Sequence, residues 1–143
     1  MPVVLAALDN IPTDFDRLGA RLDNAVLLHN AGVQIAFRSE NTHNAGWIRQ
    51  GGGIAVANGL PYEAALAAMT RGPATIWGLE DRGSLAKGKT ADLVIWSGDP
   101  LEVTTLAERV MIDGQWMELD NRQDRLLERY RDLSNDATPF GYR

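Results

Sequence analysis

The residues best suited to chemistry lie in one polar segment, residues 38–47, directly after an apolar run. Arg38 can bind a substrate carboxylate or pair with a carboxylate of the protein itself. His43 can line a binding site, although a lone histidine in a loop can also simply be exposed. We therefore treat Arg38 and His43 as candidate substrate-binding residues and leave the purely structural alternative open for both.

Composition restricts the chemistry available elsewhere in the chain. Cysteine is absent, which excludes a disulfide, a thiolate metal site and a thiol nucleophile. The glycine run 51–53 lacks the Lys-Ser/Thr pair of a phosphate-binding loop and does not directly follow a strand pattern, so a phosphate site is rejected. His29 falls on the apolar face of a predicted helix, which favours a hydrogen-bonded residue at the edge of the core.

Two strands joined by a helix are predicted to position the polar segment. Residues 3–8 form a continuous apolar run, typical of a strand covered on both faces, and residues 33–37 form a second one. A helix from Thr13 or Asp14 to Gly32 is predicted because apolar positions recur at three- and four-residue spacing at Phe15, Leu18, Leu22, Val26 and His29. Such a unit places both strands parallel, with the polar segment at a carboxyl end where ligands bind.

The remainder of the chain predicts helices first and a small β unit afterwards. Helices are expected over residues 48–58, from Pro61, and from Pro73 to Gly78. A strand over residues 91–96 and an Asp113-Gly114 hairpin follow, and a charged helix begins near Asp120. The four tryptophans are expected to fill the core or an interface.

Several ordered motifs in this region resemble one enzyme superfamily. Residues 77–101 contain Gly-Leu, Gly-Ser-Leu, Lys-Gly-Lys and Ala-Asp-Leu-Val in succession, and residues 55–66, 72–74 and 110–114 match as well. They resemble the C-terminal signature of metal-dependent amidohydrolases of the imidazolonepropionase-like and dihydroorotase-like type, over about residues 2–117. The Lys-Gly-Lys segment is structural in such enzymes, and Asp92 is expected to bond local backbone.

The resemblance implies an α/β fold made of the last strand-helix units of a (β/α)₈ barrel plus part of a small β-sandwich subdomain. Residues 1–83 would be the C-terminal part of the barrel, residues 84–118 the sandwich portion, and residues 119–143 a C-terminal helix and tail. Such enzymes bind zinc or another divalent metal through an early His-x-His, later histidines and an aspartate.

Most of those ligands are absent from this sequence. It has only His29 and His43 and no His-x-His, so we expect no metal ligand and no cofactor in this chain. Glu40 stands where the family has its aspartate, with Ser39-Glu40 in place of Ser/Thr-Asp. The resemblance therefore makes Glu40 the candidate catalytic residue, against the alternative of a solvated loop carboxylate.

The implied function is the C-terminal part of a hydrolase that cleaves carbon–nitrogen bonds other than peptide bonds with metal-activated water. The isolated chain is expected to be inactive without the N-terminal part of the barrel; the alternative is a stand-alone, non-catalytic module. A net charge of −5 and the lack of a basic cluster argue against nucleic-acid and membrane partners and favour a cytoplasmic protein. Unpaired apolar strand edges predict self-association as a homodimer or higher oligomer.

Overall fold

The computed structural model describes residues 1–39 and 42–131, and at residues 42–44 it describes the backbone alone. A two-stranded sheet and its helices come first: β1 (Val3–Leu5), α1 (Asn24–Asn30), β2 (Ile35–Phe37), α2 (Ile48–Ala57), α3 (Tyr62–Met69) and α4 (Arg71–Ile76). A three-stranded sheet and a last helix follow: β3 (Leu93–Trp96), β4 (Ala107–Ile112), β5 (Gln115–Trp116) and α5 (Arg122–Arg131). The mixture of parallel strands and helices confirms the α/β class.

The first two strands are parallel, as the strand-helix-strand pattern predicts. Val3 lies opposite Ile35 and Leu5 opposite Phe37. β2 is buried along its whole length, which explains its unbroken apolar character. β1 is shorter than predicted because the chain turns into a 3-10 helix at Ala7–Asp9. β2 begins at Ile35, two residues later than predicted.

The long helix predicted between these strands was wrong. The structure has a 3-10 helix at Phe15–Arg17 and then the short helix α1. Phe15 and Leu18 are 91% and 69% exposed, so this part of the apolar stripe has no core to pack against, and helices of this length depend on such packing. The predicted stop at Gly32 is confirmed, since α1 ends at Asn30 and Gly32, the second residue after it, adopts a φ of 73°.

The glycine-rich helix α2 is confirmed, and close packing explains its glycines. Gly51 and Gly52 are buried. A Cβ atom on Gly52 would lie 3.2 Å from Leu101 Cδ2 and from Met69 Cε, and one on Gly53 would lie 2.9 Å from the Leu101 carbonyl oxygen. The missing side chains let the 100–105 turn approach the helix, which offsets the low helix propensity of glycine.

Strands β3, β4 and β5 form an antiparallel sheet in that order. The predicted hairpin is confirmed, because Asp113 and Gly114 have φ values of 49° and 77°, as a type I′ turn requires. α3 begins just after Pro61, and α4 begins at Arg71, two residues before the predicted Pro73. The described residues include no helix that is both long and apolar enough to cross a bilayer.

Small and aliphatic residues fill the core instead of tryptophan. The buried cluster joins the first sheet to the helices behind it: Leu5, Ala7, Ala25, Ile35, Phe37, Ala55, Leu60, Ala65, Ala68 and Leu101. Trp47, Trp77 and Trp116 are exposed and Trp96 is only partly covered, so these residues do not fill the core, and their alternative place at an interface stays a prediction. His29 is exposed as well and does not lie at the core edge.

Candidate functional site

A polar cleft of about 380 Å³ lies at the carboxyl ends of β1 and β2. Its polar lining consists of Asp9, Asn10, Asp16, Arg17, Asn24 and Arg38. Ligands of parallel α/β proteins bind at this end of the strands, because the loops that follow the strands meet there. The cleft is therefore the candidate functional site of the described structure.

Short hydrogen-bonded turns place these side chains around the cleft. The Asp9 amide donates to the Ala6 carbonyl at 3.2 Å and closes the turn that follows β1. The Arg17 amide donates to the Asp14 carbonyl at 2.9 Å, which forms the second turn. The Arg38 amide donates to the Leu5 carbonyl at 3.0 Å, so the sheet pairing itself positions Arg38 beside the end of β1.

The cleft carries charges of both signs. The side chains of Asp9, Asp16 and Arg17 make no hydrogen bond or ion pair with any other residue in the described part of the chain. Asp9 is half-buried, whereas Asp16 and Arg17 are exposed. The Arg38 guanidinium donates to the Ser39 carbonyl at 3.3 Å. Carboxylates and guanidinium groups arranged in this way can bind a ligand that has both hydrogen-bond donors and acceptors.

A separate ion pair stabilises the wall next to the cleft. Arg21 Nη2 and Asp23 Oδ2 lie 2.6 Å apart, and the hydrogen bond from Arg21 lowers the pKa of the Asp23 carboxyl. The same bond raises the pKa of the Arg21 guanidinium. The Asn10 side-chain amide donates to the Arg21 carbonyl and connects this pair to the cleft lining. Asp23 therefore remains ionised and paired, unlike the unpaired carboxylates of the cleft.

Of the three predicted site residues, the structure places only Arg38. Arg38 lines the cleft, whereas Glu40 and the His43 side chain lie outside the described residues. Sequence reasoning missed Asp9 and Arg17. Asp9 follows the first predicted strand just as Arg38 follows the second, so the same rule about carboxyl ends could have found it. Arg17 was hidden by its assignment to the long helix that does not form.

The described residues do not fit a divalent metal centre. Zinc in proteins takes at least three side-chain ligands, usually histidine, cysteine or carboxylate. Within residues 1–39 and 42–131, no group of three or more such side chains is arranged to hold an ion. Asp9 and Asp16 line one cleft, but two carboxylates alone fall short of that requirement.

A second, largely apolar groove of about 960 Å³ separates the helices from the second sheet. Two residues of the helices, Arg49 and Tyr62, make polar contacts with the segment around the end of β3. Arg49 of α2 donates to the Pro100 carbonyl at 2.7 Å and stacks over the Trp96 ring at 4.4 Å, and the Tyr62 hydroxyl donates to Asp99 at 2.9 Å. Burial and this bond raise the pKa of Tyr62. These contacts hold the sheet to the helices.

The Ala-Asp-Leu-Val segment has a structural role here. Asp92 accepts a hydrogen bond from the Asp113 amide at 2.9 Å and pairs with Arg82, which also donates to the Asp113 carboxylate at 2.9 Å. These carboxylates raise the pKa of Arg82. Asp92 thus bonds backbone as expected, although that backbone belongs to the β4–β5 turn and is not local. The contacts join residues distant in sequence and contribute no reactive group to the cleft.

Comparison with known proteins gives consistent matches. A model of the amidohydrolase family matches residues 26–117. The crystal structure of an amidohydrolase from Thermotoga maritima MSB8 superposes with a TM-score of 0.75 and 33% identity, over 82% of this chain and 31% of that one. Another amidohydrolase crystal structure gives a TM-score of 0.59 and 26% identity, over 74% of this chain and 28% of its own.

A curated relative shows the same likeness over a shorter stretch. The protein named amidohydrolase tasK, from Hapsidospora irregularis, is 47% identical over 57 residues, which are 39% of this chain and 6% of that protein. The chain therefore spans less than a third of the length of each of these relatives.

Proposed function

Because the chain belongs to the amidohydrolase family, we propose that it forms the C-terminal part of a hydrolase that cleaves carbon–nitrogen bonds other than peptide bonds. The observation that carries this proposal is the 33% identity and TM-score of 0.75 with an amidohydrolase of which the chain covers 31%. Family membership supports a hydrolase over a stand-alone, non-catalytic module.

In this proposal β1 and β2 are the last strands of a (β/α)₈ barrel, and β3, β4 and β5 belong to a small β-sandwich. Support comes from the parallel pairing of the first sheet and the antiparallel pairing of the second. The two sheets lie on either side of the proposed boundary at residue 84 in the sequence. Residues 1–83, 84–118 and 119–143 remain our proposed units.

The cleft contributes substrate binding to the proposed reaction. Hydrolysis adds water across the carbon–nitrogen bond, which releases an acid and an amine. Arg38 and Arg17 can orient an anionic part of the substrate, because both line the cleft at the strand ends. We propose that Glu40 orients the attacking water or takes its proton, as its position in the family pattern implies. Metal activation of that water would need ligands from outside the described residues.

We propose that the isolated chain is inactive and self-associates. Two parallel strands cannot close a barrel of eight, so the catalytic face stays incomplete. The first sheet contains only β1 and β2 in the described structure, and Val4 in β1 is 37% exposed. An open apolar sheet edge favours pairing with another chain. The missing part of the barrel and a second copy of the chain would compete for this edge.

Reconstitution tests the proposed activity. The chain is mixed with the part of the Thermotoga maritima amidohydrolase outside the matched third, and hydrolysis is measured with an amide that the intact Thermotoga enzyme cleaves. We expect turnover by the mixture and none by the chain alone. Glu40→Gln should lower the rate about a hundredfold or more, since a general base contributes at least that much, whereas Glu108→Gln on the exposed surface of β4 should not change it. Turnover by the chain alone would contradict the proposal.

A further inference from the structure

Asn58 and Gly59 connect the end of α2 to the residues that precede α3. Gly59 has a φ of 104°, a left-handed conformation that favours glycine over any residue with a side chain. A Cβ built at Gly59 would lie 3.9 Å from Val26 Cγ2, an ordinary contact. Asn58 is exposed. Among the asparagines of the sequence, only Asn58 precedes glycine.

An asparagine that precedes glycine is prone to deamidation, because glycine has no side chain to hinder attack by its amide nitrogen. The Gly59 nitrogen loses its proton and forms a bond with Asn58 Cγ, while the Cγ–Nδ2 bond breaks and ammonia leaves. Water then opens the five-membered imide at either carbonyl, which gives aspartate or isoaspartate at position 58. The net reaction consumes water and releases ammonia, and it needs no oxidant.

The folded conformation of Asn58 keeps the reacting atoms apart. Its ψ is 12°, so the Gly59 nitrogen is nearly eclipsed with the Asn58 backbone nitrogen, whereas the imide ring needs it nearly eclipsed with Cβ. Because the peptide bond is planar, rotation about ψ is the movement that brings the two atoms together. That rotation turns the Gly59 amide away from the Val56 carbonyl, to which it donates at 2.9 Å.

The packing of the next residue resists the same rotation. Leu60 is 2% exposed and belongs to the buried cluster, and its amide donates to the Ala55 carbonyl at 2.9 Å. The Asn58 side-chain nitrogen donates to the Ile54 carbonyl at 2.8 Å. The reaction therefore requires the turn between α2 and α3 to open. Local opening of this kind occurs in folded proteins without global unfolding.

We propose that Asn58 is a modification site, at which the chain deamidates when the turn between α2 and α3 opens. The product places a negative charge at the carboxyl end of α2, where the helix dipole disfavours it. It also loses the bond from Nδ2 to the Ile54 carbonyl, and isoaspartate lengthens the backbone next to the buried Leu60. A chain that has opened and reacted is therefore left with a weaker α2–α3 turn.

The test follows deamidation of the full chain by peptide mass spectrometry, at neutral pH, in native buffer and in guanidinium chloride. Trypsin releases residues 50–71, which contain Asn58, and residues 22–38, whose asparagines precede alanine. In denaturant we expect residues 50–71 to deamidate several-fold faster than residues 22–38. In native buffer Asn58 should react about tenfold or more slowly than in denaturant, since the open turn is a minor population.

Three variants separate the site from the turn that closes it. Asn58→Gln should abolish deamidation of residues 50–71, because glutamine would have to close a larger ring. Leu60→Ala keeps the Asn-Gly pair but removes its buried neighbour, so in native buffer it should deamidate about tenfold or more faster than the unmodified chain. Leu5→Ala is the matched control, because it removes a buried leucine from β1 instead, and it should give a smaller increase.

Each outcome decides the proposal. It would be overturned by equal rates in native buffer and denaturant, by no excess at Asn58 over residues 22–38 in denaturant, or by equal rates for Leu60→Ala and Leu5→Ala. If Leu60→Ala does not fold by circular dichroism, Leu60→Val provides the same comparison with a smaller loss of volume. Asn58→Asp, which carries one product, should unfold at a lower urea concentration than Asn58→Gln, and equal midpoints would contradict the weakening of the turn.

Discussion

Replacing single glycines of α2 by alanine tests how closely this helix approaches its neighbours. Alanine in a helix interior is favoured over glycine by about 1 kcal/mol. At Gly51, a new Cβ would lie 3.5 Å from the Leu8 amide nitrogen and 3.8 Å from the Ala7 Cβ, which are ordinary contacts. Gly51→Ala should therefore stabilise the chain by about 0.5–1 kcal/mol.

At Gly53 the same change should give no net stabilisation of the chain. The new Cβ would lie 2.9 Å from the Leu101 carbonyl oxygen, a backbone atom that cannot rotate away. Overpacking of this kind costs about 1–3 kcal/mol, which matches or exceeds the gain in helix propensity. Gly53→Ala should thus be less stable than Gly51→Ala by about 1–3 kcal/mol. The stability of Gly52→Ala should lie between those of the other two variants, because its new Cβ meets the flexible Met69 side chain at 3.2 Å.

Urea unfolding followed by circular dichroism measures this order, with the free energy extrapolated to water. Gly51→Ala serves as the control for Gly53→Ala, since it adds the same methyl group to the same helix. If Gly53→Ala is as stable as Gly51→Ala, the 100–105 turn does not contact α2 at this distance. The explanation of the glycine run by close packing would then be wrong.

Three further predictions concern the sheet, acid stability and assembly. Arg49→Ala should lower the free energy of unfolding by about 2 kcal/mol in urea, because it removes the bond to the Pro100 carbonyl and the stacking on Trp96. The hydrogen bond from Thr90 is the main cause that lowers the pKa of Asp81 below 3.8, so this bond stabilises the fold fully above pH 3.8 and its contribution disappears as the pH falls through the lowered pKa. Thr90→Val should therefore reduce the drop in urea midpoint between about pH 4 and pH 2. A drop equal to that of the unmodified chain would contradict this. Light scattering of the isolated chain should give the mass of at least two chains, and a stable monomer at micromolar concentration would refute self-association.

Local patterns in the sequence were sufficient for several parts of the fold. The apolar runs around β1 and β2 predicted a parallel pair, and Asp113-Gly114 predicted a hairpin, because both depend on backbone preferences that few residues determine. Gly32 likewise ends α1 through its own left-handed conformation. Motif resemblance identified the family, which the match over residues 26–117 confirms.

Parts that depend on tertiary contact could not be predicted from the sequence. The spacing of Phe15 and Leu18 fits a helix, but a periodic stripe forms a helix only where a core covers it, and both residues are exposed. The reach of Arg49 to Pro100 spans 51 positions, and no local pattern encodes such a contact. Of the two arginines that line the cleft, the sequence predicted Arg38, because it follows a strand. It did not predict Arg17, because that residue belongs to a turn that was predicted as helix.

Sedimentation velocity of the chain mixed with the complementary part of the Thermotoga maritima amidohydrolase tests the incompleteness of the first sheet most directly. If the barrel is incomplete, we expect the oligomers of the chain to be replaced by a one-to-one complex of the chain with the added part, because the added strands cover the sheet edge beside β1. Separate boundaries for the two pieces, with the chain's sedimentation unchanged, would contradict it.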